Sequence, residues 1–216
     1  MHLLFEDNHL FVLNKPTGLL TQPSGTSQAS LECLGKSWIK ERDGKPGNVF
    51  LCAIHRLDKP ASGIVVLAKT SKALSRLNAS MRLRQIKKTY WTWVEGSPTE
   101  NEALLEHTLL HTDFHAILIS PNDPRGKTAR LTYRVLIRDR GRTLLEVELE
   151  TGRYHQIRLQ LSAIGHPICG DRQYGSIQSY VPEAIALHHR HLQLLHPISQ
   201  KPMSFQAPPP LTFSSP

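Results

Sequence analysis

A chain of 216 residues, 39% apolar and 20% charged, is long enough to bury a core and too apolar for a disordered tail. Its formal net charge of +8 points to a polyanionic partner, and no run approaches the roughly 18 apolar residues of a membrane-spanning helix. Met1 to Asp7 turns acidic at once, unlike a signal or transit peptide. Cys33, Cys52 and Cys169 form no CxxC pair, so the expected setting is the reducing cytoplasm.

Leu3-Leu4-Phe5 and Leu10 to Leu13, separated by the polar break Glu6 to His9, predict a hairpin. Asn14-Lys15-Pro16-Thr17-Gly18 is a turn, and Lys15 by itself reads as an exposed turn lysine. Ser30 is placed to cap a helix with Leu31, Leu34 and Trp38 on one stripe, ending before Gly44, Pro46 and Gly47. Val49 to Ile54 and Gly63 to Ala68 are short apolar runs that predict buried strands. Between them lies the charged loop His55-Arg56-Leu57-Asp58-Lys59-Pro60-Ala61-Ser62, a loop between core strands being where scaffolds present chemistry. Asp58 is the one acid from His55 to Tyr90, against nine Lys or Arg residues, which favours a nucleic-acid partner over a merely solvated face.

Ser71 is placed to cap a second helix with Leu74, Leu77 and Met81 as its apolar stripe. Its remaining faces and tail carry Lys72, Arg76, Arg82, Arg84, Lys87 and Lys88, suited to phosphates. Thr89 to Val94 is a strand with Tyr90, Thr92 and Val94 on one face and Trp91 and Trp93 on the other. Tyr90 alone reads as a core or edge aromatic. His107, His111 and His115 recur every four residues, which on a helix would invite zinc and a metal-dependent hydrolase. The run into Ile117-Leu118-Ile119 favours a strand and no metal. Lys127 to Val135 and Leu144 to Leu149 alternate around the turn Asp139-Arg140-Gly141, as an antiparallel hairpin does. Ile157, Leu161 and Ile164 have helical spacing with Gly165 and Pro167 as a stop. Arg153, His155 and Arg158 then sit at the start of that helix, where the dipole disfavours cations, so pairing with an acid or a phosphate explains them better. Ala186 to Leu195 predicts a strand whose His188 to His191 insert forms a polar edge, and Ala207 to Pro210 an extended tail.

Arg56-Leu57-Asp58 with Ser62-Gly63, Lys88-Thr89-Tyr90 with Val94 and Gly96, and Gly152-Arg153-Tyr154-His155-Gln156-Ile157-Arg158 stand in an order that resembles the RluA-type family of RNA pseudouridine synthases. Asn14 to Gly18, Gly165-His166-Pro167 and Gly170-Asp171 agree with it. Ala61 and Tyr154 stand where the motifs typically carry Thr, and Gln160 where His is frequent.

The resemblance implies an α+β fold: a largely antiparallel mixed sheet in two halves with peripheral helices and an active-site cleft across the middle. It implies one catalytic domain over residues 1–216 without an N-terminal S4 domain, a monomer, no cofactor and no metal. The substrate would be a uridine of rRNA or tRNA, whose N-glycosidic bond is broken and rejoined through C5. Asp58 would be the essential aspartate, Tyr90 the residue stacking on the base, and Arg158 the partner of the aspartate. Arg56 would help displace the flipped uridine, with His55, Lys15, Lys88, Arg153, His155 and Gln156 holding RNA. Extruding a uridine costs a few kcal/mol and stacking on an aromatic returns about 1–3, so an aspartate, a tyrosine and an arginine form a sufficient minimal set. The alternative is a non-catalytic RNA-binding or RNA-folding module on the same fold.

Overall fold

The computed structural model describes residues 2–213. The chain divides into two compact units, one of Met1–Ile86 with His189–Pro208 and one of Lys87–His188 with Pro209–Pro216. Every strand pair within them for which a register is defined is antiparallel, with helices packed on the strands, as the α+β reading expects.

In the first unit the hairpin of β1 (His2–Glu6) and β2 (Leu10–Lys15) forms as expected. Strand β2 pairs in turn with β4 (Ser62–Ala68), with Lys15 opposite Gly63 and Leu10 opposite Ala68. Every residue of β4 is buried, because both faces of this strand are covered and its run is apolar throughout. On one face Leu10, Val12, Ile64 and Val66 pack with Ala73 and Leu77 of helix α2 (Ser71–Arg82). The opposite face meets helix α1 (Leu31–Arg42): Phe11 and Trp38 have ring centroids 5.5 Å apart, and Gly35 lets Leu51 approach.

Three local expectations need correction. The buried stripe of α1 runs through Leu31, Gly35 and Ile39, leaving Leu34 exposed, because the helix turns its Gly35 face to the sheet. Of Val49 to Ile54 only Cys52–Ala53 forms a strand, β3, and Phe50 is exposed. The cap of α2 is Thr70, whose hydroxyl accepts from the Ala73 amide at 3.2 Å, so Ser71 is the first helical residue.

In the second unit β5 (Lys87–Glu95) pairs with β9 (Arg142–Leu149), β9 with β8 (Lys127–Asp139), β8 with β6 (Glu102–His111) and β6 with β7 (Ala116–Leu118). Tyr90, Thr92 and Val94 share a buried face of β5, as the alternation requires. Helix α3 (Gln156–Ala163) packs against β6 and β7 and buries Ile157 and Leu161. The three periodic histidines lie on a strand and its turn. His107 accepts from Gln160, His111 packs on Tyr154, and His115 closes the turn to Thr112, so among the described residues they do not converge.

Strand β10 (Leu187–Leu195) carries the polar insert, and β11 (Pro202–Gln206) pairs with it. His188 and His189 are both fully buried, which overturns the polar-edge reading for these two. The ring of His189 donates through Nδ1 to the Ile64 carbonyl at 2.7 Å, a use of polar atoms that burial demands.

Candidate active site

The loop carrying Asp58 is fixed on both sides of the carboxylate through its backbone. Leu57 is held by one hydroxyl: Thr21 Oγ1 accepts from the Leu57 amide at 3.1 Å and donates to the Leu57 carbonyl at 2.9 Å. On the other side the Lys59 carbonyl accepts from the Gly18 amide at 2.9 Å and from Lys15 Nζ at 3.2 Å. The Ala61 amide returns to the Asp58 carbonyl at 3.0 Å, closing a turn. These bonds leave Asp58 half-buried and Arg56 exposed, so the loop presents a carboxylate and a guanidinium together. Directly below, Gly63 has φ 116°, and a Cβ there would lie 2.4 Å from the His189 carbonyl oxygen. Only glycine permits that approach of the two backbones.

Lys15 is fully buried, and its ammonium donates to the carbonyls of Pro16, Leu19 and Lys59 at 2.9, 2.8 and 3.2 Å. Three donors meet three acceptors. Burial pushes its pKa down to about 7, opposed by the attraction of Asp58. His55 accepts from the Val66 amide at 3.3 Å and packs edge-on against His189.

In the second unit the start of α3 gathers a network made of side chains. Arg158, only 4% exposed, grips Asp171 with two bonds, Nε to Oδ2 at 2.6 Å and Nη2 to Oδ1 at 2.8 Å. Its Nη2 also reaches Gln173 Oε1 at 2.7 Å, and its guanidinium lies 4.9 Å from the Tyr174 ring centroid. Nη1 donates to His155 Nε2 at 2.9 Å. Because arginine has no acceptor, that imidazole nitrogen accepts, and Nδ1 carries the proton it gives to the Tyr174 hydroxyl at 2.8 Å. The Tyr174 oxygen accepts from the Ala116 amide at 2.9 Å, which ties the network to β7. His155 itself has φ 51°, a left-handed backbone with no side-chain cap, and both ring nitrogens are bonded. The sequence-based expectation that these cations answer an acid holds for Arg158, whose acid here is Asp171.

Gln156, 3% exposed, accepts from the Thr151 hydroxyl at 2.8 Å and the Arg153 amide at 3.0 Å, and donates to the Arg130 carbonyl at 2.9 Å. Lys15, His155 and Gln156, expected to hold RNA, are buried here. Their polar atoms are inside, bonded to the backbone and side chains that shape the site. The reading of Lys15 as an exposed turn lysine is corrected, since the residue is fully buried. Arg56 and Arg153 reach the surface, Lys88 is half-buried, and Tyr90 is buried on β5. Asp171, Tyr174 and Thr21 are the residues that sequence reasoning missed. Gly170-Asp171 is visible as a motif, but nothing in its spacing names Arg158 as its partner. Thr21 lies in a loop without periodicity.

The fold is that of the pseudouridine synthases. The structure titled human RNA Pseudouridylate Synthase Domain Containing 4 superimposes with a TM-score of 0.83 at 22% identity, over 99% of this chain and 90% of that one. A model described as RNA pseudouridylate synthase matches residues 9–163. The ribosomal large subunit pseudouridine synthase D of Zymomonas mobilis is 35% identical over 97% of this chain and 69% of its own. The synthase C of Vibrio cholerae is 33% identical over 95% of this chain and 65% of its own. This chain thus spans about two thirds of the length of these relatives. The chain belongs to the RNA pseudouridylate synthase family, a family of isomerases that act on RNA. Among the described residues no helix is long and apolar enough to cross a membrane.

Proposed function

We propose that this chain isomerises specific uridines of large-subunit ribosomal RNA, with Asp58 as the carboxylate acting on the target nucleotide. The relatives named for the ribosomal large subunit support the substrate class. The observation that carries the catalytic assignment is the Asp58 loop itself. It is a half-buried carboxylate beside an exposed arginine, its backbone clamped at Leu57 and at Lys59. Clamping of this kind keeps a reacting group in place without reorganisation during the reaction.

The isomerisation breaks the bond from N1 to C1′ and forms one from C5 to C1′. The C5 hydrogen leaves as a proton and N1 takes one up, so no electrons are exchanged. Asp58 acts on the nucleotide, Tyr90 stacks on the base, and Arg158 supplies fixed positive charge. Arg56 helps to displace the uridine from its stack, and Lys88 and Arg153 hold the RNA backbone. Lys15, His155 and Gln156 position these groups, and His55 braces the loop against β4. The protein works as a cytoplasmic monomer, a setting that its three free cysteines suit.

The test is a map of pseudouridine in ribosomal RNA from cells with and without the gene. Discrete positions of the large-subunit RNA should lose the modification. An unchanged ribosomal map, or losses confined to tRNA, would overturn the substrate assignment.

A further inference from the structure

The second unit contains an open groove beside the start of α3, lined by Arg125, Lys127, Arg153, Gly152, His111 and Tyr154 over an apolar floor. No carboxylate is among its lining residues, although Asp123 next to it binds Arg125 at 2.7 and 3.0 Å and offsets part of that charge. Lys127 has no ion pair among the described residues. Lys88 adds a further cation: a Cβ on Gly152 would stand only 3.3 Å from its Nζ. Burial lowers the Lys88 pKa. Arg125 has Asp123 as its acid, but Lys127 and Arg153 have no ion pair among the described residues, and that surplus of positive charge suits an anion from outside.

The groove also holds a column of rings. Tyr154 stacks on His155 with centroids 3.8 Å apart at 18°, and His111 packs on Tyr154 at 4.1 Å with its ring tilted by 40°. His155 is buried at the inner end and His111 is exposed at the outer end. The rings therefore run from the Arg158 network to the surface. Phosphates beside cations and a base on a stacked column are the repeating chemistry of a single nucleic-acid strand.

We propose that this groove binds a single-stranded segment of the RNA substrate, its phosphates on Lys127, Arg125 and Arg153 and a base on the column of His111 and Tyr154. The proposal rests on the reading of the chain as an enzyme acting on RNA. It makes Tyr154, where the family motif typically carries Thr, a residue through which this chain selects its substrate.

The test uses a 12-residue oligouridylate with a 5′ fluorescent label, titrated with the full chain across a range of salt. Each phosphate contact contributes about 0.7 to the salt slope of single-strand binding, so the double variant Arg125→Ala, Lys127→Ala should lower the slope by about 1.4 and weaken binding about tenfold. Tyr154→Thr should weaken binding roughly fivefold or more while leaving the slope as it is. Lys127→Gln, with a melting temperature equal to the wild type, separates loss of a contact from loss of fold. An oligonucleotide carrying 4-thiouridine should crosslink to the peptides holding His111 or Tyr154. Wild-type affinity and slope in all the variants, or crosslinks only elsewhere, would overturn the proposal. Asp58→Asn keeps the two readings apart. It should bind the oligonucleotide like the wild type while forming no pseudouridine. Were the wild type itself to form none in any RNA, the groove would still be judged by the titrations alone.

Discussion

The Asp58 loop and the start of α3 both hold ionic groups, and they are fixed by different means. Around Asp58 the fasteners are backbone groups: carbonyls around Lys15, one threonine hydroxyl, and glycine at Gly63 where β4 begins. Around Arg158 they are side chains, in a chain from Gln173 and Asp171 through Arg158 and His155 to Tyr174. A backbone cage fixes a loop's path, and with it the position of the carboxylate that the loop carries. A side-chain network fixes the charge itself, in the orientation that bidentate pairing imposes.

This contrast sets the size of the expected effects. Removing one partner from a buried pair leaves a bare charge inside, so Asp171→Ala should cost about 3–5 kcal/mol in urea denaturation. A loss below about 1 kcal/mol would mean that the network is not what holds Arg158. Lys15→Met strips three buried carbonyls of one donor each and should cost about 2–3 kcal/mol. It should also change the pH dependence. The Lys15 pKa is about 7 in the folded chain and 10.5 ordinarily, so between these values the unfolded chain holds a proton that the folded one has released. Stability should then rise from pH 7 to about pH 10 in the wild type, and this rise should flatten in Lys15→Met. An unaltered pH profile would show that Lys15 does not titrate there. Gly63→Ala forces a methyl group against the His189 backbone and should cost about 2 kcal/mol by thermal melting. Thr70→Ala, outside both centres, should cost only about 1 kcal/mol through loss of the α2 cap. A larger loss there would mean that general fragility, not the two centres, governs the stability of the chain.

The sequence displays the elements of both regions unequally. The hairpin of β1 and β2, the fully apolar β4, the alternation in β5 and the stop of α3 at Gly165 are all readable, because each rests on local periodicity or turn chemistry. The α1 stripe is misread at Leu34, since spacing does not say which face a neighbouring sheet takes. Lys15 looks exposed because a turn lysine usually is. Its burial depends on the Lys59 carbonyl, 44 residues away in sequence. His188 and His189 look like an edge for the same reason, and the Ile64 carbonyl and the His55 ring, both far upstream, help to explain why His189 can be buried. Asp58 stands out by charge isolation alone, whereas Asp171 does not, because its meaning is entirely the guanidinium it meets.

The central claim is that Asp58 carries the isomerisation. Forming a bond from C1′ to C5 expels the C5 hydrogen, so ribosomal RNA transcribed with uridine tritiated at C5 reports turnover as tritium released to water. The account predicts release by the wild-type chain and a fall of at least about a thousandfold in Asp58→Asn, with RNA affinity retained. Release by Asp58→Asn at the wild-type rate would contradict it.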